Sequence, residues 1–277
     1  MKLIISETLT ESDDAFLFLL KIKQLVQRYF IELAYKGTHF HGWQIQPNAF
    51  SVQECLEKAL STITRETIAV TGAGRTDTGV HASYFVAHFD SEKQHLDHPD
   101  FAHKLNSFMG TEVVIFNVSK VSAEAHARFD AISRTYQYHL NLRKDPFVLE
   151  TSWHFFRPLN LEQMNAACPI LFEYTDFTSF SKLHTDVKTN NCKIYQAEWV
   201  QKGKNIVFTV KADRFLRNMV RALVGTFLEV GTSKMDLAGF RKVIEQKDRG
   251  VAGTSVPAHG LFLTDIEYPE TVFQRTV

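Results

Sequence analysis

"TIAVTGAGRTDTGVHASYFVAHFD", residues 67–90, reads as strand, loop, strand. "TIAVTG" (67–72) runs into glycines, and in "SYFVAHFD" (83–90) Phe85, Ala87 and Phe89 fall on one face. Between them "AGRTDTGVHA" (73–82) carries Gly74, Gly79, the charged pair Arg75 and Asp77, and His81. Such a loop at two strand ends could cradle a phosphate, hold a metal or present a single carboxylate.

The flanking sequence builds the rest of the fold. "YFIELAY" (29–35) alternates around Glu32 as a strand does, and "HFHGWQIQPNAF" (39–50) is a turn-rich loop. Ser51 and Glu54 form a capping box ahead of a stripe of Val52, Cys55, Leu56, Ala59, Leu60 and Ile63 at helical spacing. A short helix over 99–108 and a strand in "EVVIFNVSKV" (112–121) follow, then a strand ending "RTYQYHL", in which Tyr136, Tyr138, Leu140 and Leu142 share a face. The second cycle predicts a helix over 161–172 interrupted by Pro169, strands at 195–201 and 205–212, helices over 214–230 and 236–246, and a closing strand at 261–268. Two rounds of strands and helices predict an α+β fold of two similar halves around one sheet, 27–125 and 126–277, with residues 1–26 as an N-terminal extension. Element order alone carries this symmetry, since the sequence contains no direct repeat.

Composition narrows the function classes. The 277 residues are 44% apolar, and Lys plus Arg (31) equal Asp plus Glu (31), so any polyanion must be drawn by segregated charge. Three cysteines, an odd number, do not read as a disulfide framework, and a reducing, cytoplasmic location is expected. The run Ala15–Leu20 is too short for a signal core, and nothing approaches the ~20 apolar residues of a membrane span.

Of the three readings of the loop, phosphate is poorly served. "GAGRTDTG" lacks the Lys and Ser/Thr ending of a P-loop, and its glycines do not fit the dinucleotide pattern. No metal site is expected, because the pairs His39/His41 and His95/His98 have neither i, i+4 spacing nor a Cys partner. A carboxylate remains. Glycines at 72, 74 and 79 give the backbone freedom to present Asp77, although spacing alone leaves an Asx-turn aspartate beside a surface arginine equally open.

Arginines tilt the balance. In "DRFLRNMVRALVG" (213–225), Arg214, Arg217 and Arg221 are spaced three then four, which places them along one side of a helix. Arg221 falls in its apolar middle and needs an acidic partner there. "HARFDAISRTYQYH" (126–139) interleaves Arg128, Phe129, Arg134, Tyr136 and Tyr138, the composition of surfaces that stack unpaired bases and grip phosphates. Tyr138 reads as core; spacing leaves Tyr136 open.

Taken together, "AGRTDTGVHA", "HGWQ", "SVQE", "HARFDA", "RTYQYHL", "DFTSF", "FLRNMVRALVG" and "PAHGLFL" resemble, in order and spacing, the motifs of the tRNA pseudouridine synthase A family over about 29–268. The resemblance implies one continuous antiparallel sheet made by two α/β halves, a central basic cleft and helices on the outer face. It implies a homodimer that binds tRNA, needs no cofactor and isomerises uridines 38–40 of the anticodon stem-loop by base flipping. On matching positions, Asp77 is implied as the catalytic aspartate, Arg75 as the residue displacing the target nucleotide, Tyr136 as the ring stacking on the uracil and Arg221 as the cation paired with the aspartate. "AHARF" (125–129), with His126, Arg128 and Phe129, is implied to contact RNA, as is the loop "HTDVK" (184–188) with His184 and Lys188. Arg217, in the basic stretch 211–221, joins the RNA-binding set. Asp77 could attack the sugar, attack the ring or remove a sugar proton. Thr78 stands where the family has alanine. The rival readings are a non-catalytic tRNA-binding or chaperone protein using the same cleft, and a nucleotide-binding enzyme.

Overall fold

The computed structural model describes residues 26–182 and 189–273. Its first strand, β1 (Gln27–Tyr35), buries Tyr29, Ile31, Leu33 and Tyr35 on one face, the alternation expected of "YFIELAY". Helix α1 (Val52–Thr64) starts where the capping box placed it, the Glu54 N–H donating to Ser51 Oγ at 3.2 Å. Val52, Leu56, Ala59 and Leu60 are its buried stripe. Strand β2 (Val70–Gly72) is shorter than the expected 67–72, and β3 (His81–Ser91) longer. Helix α2 (Pro99–Phe108) and strand β4 (Val113–Lys120) complete the first cycle.

The second cycle holds β5 (Ser133–Asn141), β6 (Trp153–His154), α3 (Leu161–Ala167), β7 (Ile194–Lys202), β8 (Asn205–Ala212), α4 (Met219–Gly231), α5 (Leu237–Gln246) and β9 (Leu261–Glu267). Pro169 acts as expected, since α3 stops at Ala167 and a 3-10 turn, Cys168–Glu173, continues the chain. The expected helix over 214–230 is corrected: α4 begins only at Met219, because Asn218 at its N-cap has φ +67°, outside helical geometry.

One sheet runs β4-β1-β3-β9-β5-β8-β7, with β2 on β3 and β6 on β5. An α+β fold around one sheet was expected, and the pairings are antiparallel apart from two short parallel ones, β3 with β9 and β5 with β6. β9 joins the two cycles. Its Leu263 and Ile266 enter a core built from β1, α1, β3, α2 and β4, while its Leu261 enters a second core built from β5, α3, β7, β8, α4 and α5. Tyr136 packs against both cores, so the strand ends around it lie at their junction.

Candidate active site

The loop between β2 and β3 opens with the Ala73 N–H donating to Val86 O at 2.8 Å, which prolongs the ladder. It closes with a turn in which the Val80 N–H donates to Asp77 O at 3.1 Å and Gly79 takes φ +78°. The segment after β1 clamps this loop from beneath. Thr76 accepts from the Trp43 N–H at 3.3 Å through its carbonyl and shares a 2.9 Å hydrogen bond with the Tyr35 hydroxyl. Gly42 makes that approach possible: its φ is +85°, and a Cβ there would stand 2.4 Å from Thr76 O. Gly74 has neither a positive φ nor a close neighbour, so the expectation that it shapes the turn is corrected. The shaping falls to Gly42, which spacing did not single out, to Gly79, and to Gly72, where a Cβ would stand 2.5 Å from the Trp43 ring.

His81 is buried. Its Nδ1 accepts from the Gly37 N–H at 2.9 Å, and its Nε2 faces the carbonyls of Glu150 at 2.9 Å and His259 at 3.1 Å. One nitrogen accepts and the other donates, which is the neutral imidazole, and burial lowers its pKa accordingly. His81 thus supports the loop. Among the other histidines, His39 pairs with Glu112 at 2.5 Å and His98 caps α2.

Asp77 faces two arginines. Arg221 Nη1 stands 3.5 Å from Oδ2 and Arg217 Nε 3.9 Å from Oδ1, with the Asp77 side chain 31% exposed and Arg221 22%. The acidic partner expected for Arg221 is therefore Asp77, but the helical stripe is corrected. Arg221 lies in the first turn of α4, not its middle, and Arg214 and Arg217 precede the helix. The reversal at Asn218 brings Arg217 to the carboxylate. Arg221 is itself fixed by its Nε donating to Val256 O at 2.7 Å. Among the described residues Arg214 makes no ion pair.

Tyr136 is half-buried, its ring edge-on to Phe215 at 5.0 Å. Burial raises its pKa to about 12, with the Asp77 charge pushing in the same direction against Arg134, so the phenol is neutral at physiological pH. Tyr138 is fully buried, donating to Pro257 O at 2.9 Å, as a core residue should.

The segment 125–130 folds around His126, whose Nδ1 accepts from the N–H groups of Arg128 at 3.1 Å and Phe129 at 3.4 Å. Phe129 is 74% exposed with the Arg128 guanidinium 5.8 Å from its ring centre, a cation over an open aromatic face. Arg75 is exposed and makes no hydrogen bond or ion pair among the described residues. His184 and Lys188 lie outside the described residues, as does the extension apart from Val26. Two further residues belong to this cluster: Phe215, and Arg134 of the interleaved 126–139 stretch. The latter sits two residues before Tyr136 in β5 and donates from Nη2 to Ala73 O at 3.2 Å and Arg128 O at 2.6 Å. The R-x-Y alternation signals it.

Known proteins resemble the chain over most of its length. Residues 33–130 and 174–269 match the family described as tRNA pseudouridine synthase. The chain is 56% identical over 250 residues to tRNA pseudouridine synthase A of Bacteroides fragilis, covering 90% of this chain and 99% of that one. It is 58% identical over 253 residues to the protein of that name from Bacteroides thetaiotaomicron, covering 90% and 94%. The identity is 38% over 256 residues to its namesake from Francisella tularensis, covering 91% and 98%. With two arginines on one carboxylate beside a neutral tyrosine, and this likeness over most of its length, the chain belongs to the tRNA pseudouridine synthase family, a family of isomerases.

Proposed function

We propose that the chain converts uridines 38–40 in the anticodon stem-loop of tRNA to pseudouridine, with Asp77 as the catalytic residue. The observation carrying this reading is the Asp77 carboxylate held by Arg221 and Arg217 at the junction of two cores, within electrostatic reach of Tyr136. The isomerisation breaks N1–C1′, turns the uracil and forms C5–C1′. The C5 proton is lost and N1 gains one, so no atoms or electrons are exchanged overall and no cofactor is called for.

The uridine must first leave the stack, at a cost of a few kcal/mol. Arg75, free on the same loop as Asp77, takes the vacated place and contacts phosphate. Arg221 and Arg217 hold Asp77 oriented for attack or proton removal, and the neutral Tyr136 offers its face to the uracil. His126 shapes the turn from which Arg128 and Phe129 meet RNA. His184 and Lys188 extend that grip in the same reading. The protein acts as a cytoplasmic homodimer of two-halved protomers, 27–125 and 126–277. Mapping pseudouridine in tRNA from cells with and without the protein tests the positions. Loss confined to 38–40 supports them, and loss elsewhere replaces them.

A further inference from the structure

Outside the groups assigned above, Arg134 is the side chain that touches most of the site. It leaves β5 on the same face as Tyr136, two residues away. Its Nη1 donates to Ala131 O and Asp213 O, each at 2.9 Å, and its Nη2 donates to Arg128 O at 2.6 Å and Ala73 O at 3.2 Å. Ala73 opens the Asp77 loop, Arg128 and Ala131 flank the exposed Phe129, and Asp213 begins the stretch that carries Phe215 and Arg217.

We propose that Arg134 is a positioning residue that holds the Asp77 loop, the 128–131 segment and the 213–217 stretch in register, so that a gripped tRNA delivers its uridine to Asp77. The inference rests on the reading of Asp77 as catalytic.

The chemistry argues for geometry over stability. All four acceptors are neutral carbonyls, and no carboxylate hydrogen-bonds the guanidinium among the described residues. Carbonyls offset only part of the desolvation of a buried cation, and burial indeed lowers its pKa. A planar fork with donors on two nitrogens, however, reaches carbonyls from three separate segments at once, whereas a lysine has one nitrogen and could not span them.

Arg134→Lys keeps the charge and loses the fork, and Arg134→Met keeps only the stem. Each is assayed below its melting temperature by single-turnover tritium release from tRNA labelled at uridine C5, with enzyme in excess, alongside a filter-binding Kd. Asp77→Asn is run in parallel. Arg134→Lys should bind tRNA within about threefold of wild type, while its rate at saturating enzyme falls roughly 100-fold, the scale of loss from about 1 Å of misplacement. If the lysine variant does not fold, the methionine variant should show the same split. A wild-type saturating rate in whichever variant folds, or a deficit that vanishes as enzyme is raised, overturns the proposal. Activity in Asp77→Asn would instead overturn the reading of the site itself.

Discussion

Arg221 Nη1 stands 3.5 Å from Asp77 Oδ2 although 144 residues separate them in the chain, and the same guanidinium donates from Nε to Val256 O at 2.7 Å. One arginine therefore ties the carboxylate loop of the first cycle to α4 and to the 252–257 segment of the second. Asp77 is one-third exposed, so the pair is a wet one, and its worth lies in orientation more than in stability.

Arg221→Ala should accordingly lower turnover by at least about 100-fold while lowering unfolding free energy by only about 1–2 kcal/mol, because the Asp77 carboxylate left behind keeps its water. Arg221→Lys should recover part of the rate. Urea unfolding and single-turnover kinetics check both halves. A variant that loses fold and function together would mean that the ion pair is structural, and one that loses neither would mean that it is idle.

The strands and most helices were legible because they follow local rules. Alternation marked β1, β3 and β5, a stripe with its cap marked α1, and Pro169 marked the end of α3. Asp77 was legible as a carboxylate on a glycine-flanked loop. The course of 213–218 was not. Arg214, Arg217 and Arg221 satisfy helical spacing, and nothing local announces that Asn218 adopts φ +67° and reverses the chain, a conformation fixed partly by Asn218 Nδ2 donating to Ser255 Oγ at 2.6 Å. The parallel contact of β3 with β9 depends on residues about 180 apart, beyond any local period. Arg134 was visible in the Arg and Tyr alternation of β5, but the segments it joins, like the contact of Gly42 with Thr76, are distant in sequence and meet only in the folded chain.

Gly42→Ala places a Cβ 2.4 Å from Thr76 O on a backbone at φ +85°. Strain and displacement together should cost at least about 2 kcal/mol, and the saturating rate should fall more than tRNA affinity, since Thr76 adjoins Asp77. Melting curves and single-turnover rates measure the two effects. An unperturbed variant would show that the clamp is loose.

His88 links stability to pH. It is buried, its Nδ1 accepts from the Ala127 N–H at 3.1 Å, and burial, followed by the Arg28 charge, lowers its pKa to about 4. Below pH 6.5 the unfolded chain binds a proton that the folded chain refuses until about pH 4, so stability falls with pH across that window, by up to about 3 kcal/mol. His88→Asn, which keeps an acceptor and cannot titrate, should flatten this part of the stability curve between pH 6.5 and 4.5. An unchanged slope would assign the acid sensitivity to other groups.

Net charge is zero, yet Arg75, Arg128 and Arg217 are exposed around the site. tRNA affinity should therefore fall steeply with salt. Replacing Arg75 or Arg128 by Ala should reduce the slope of log K against log salt by about one each. Filter binding between 50 and 200 mM salt, a range on the order of that used to count phosphate contacts, reads the slope. A flat dependence would place the RNA elsewhere.

The central claim is that Asp77 performs the chemistry and does not serve to grip RNA. Asp77→Asn, assayed by single-turnover tritium release with enzyme in excess over tRNA, tests it most directly. The expected result is no pseudouridine, tRNA affinity within about threefold of wild type and a modestly lowered melting temperature, since Arg221, 22% exposed, loses its carboxylate partner but keeps its bond to Val256 O. Pseudouridine formation at anything near the wild-type rate would contradict the account.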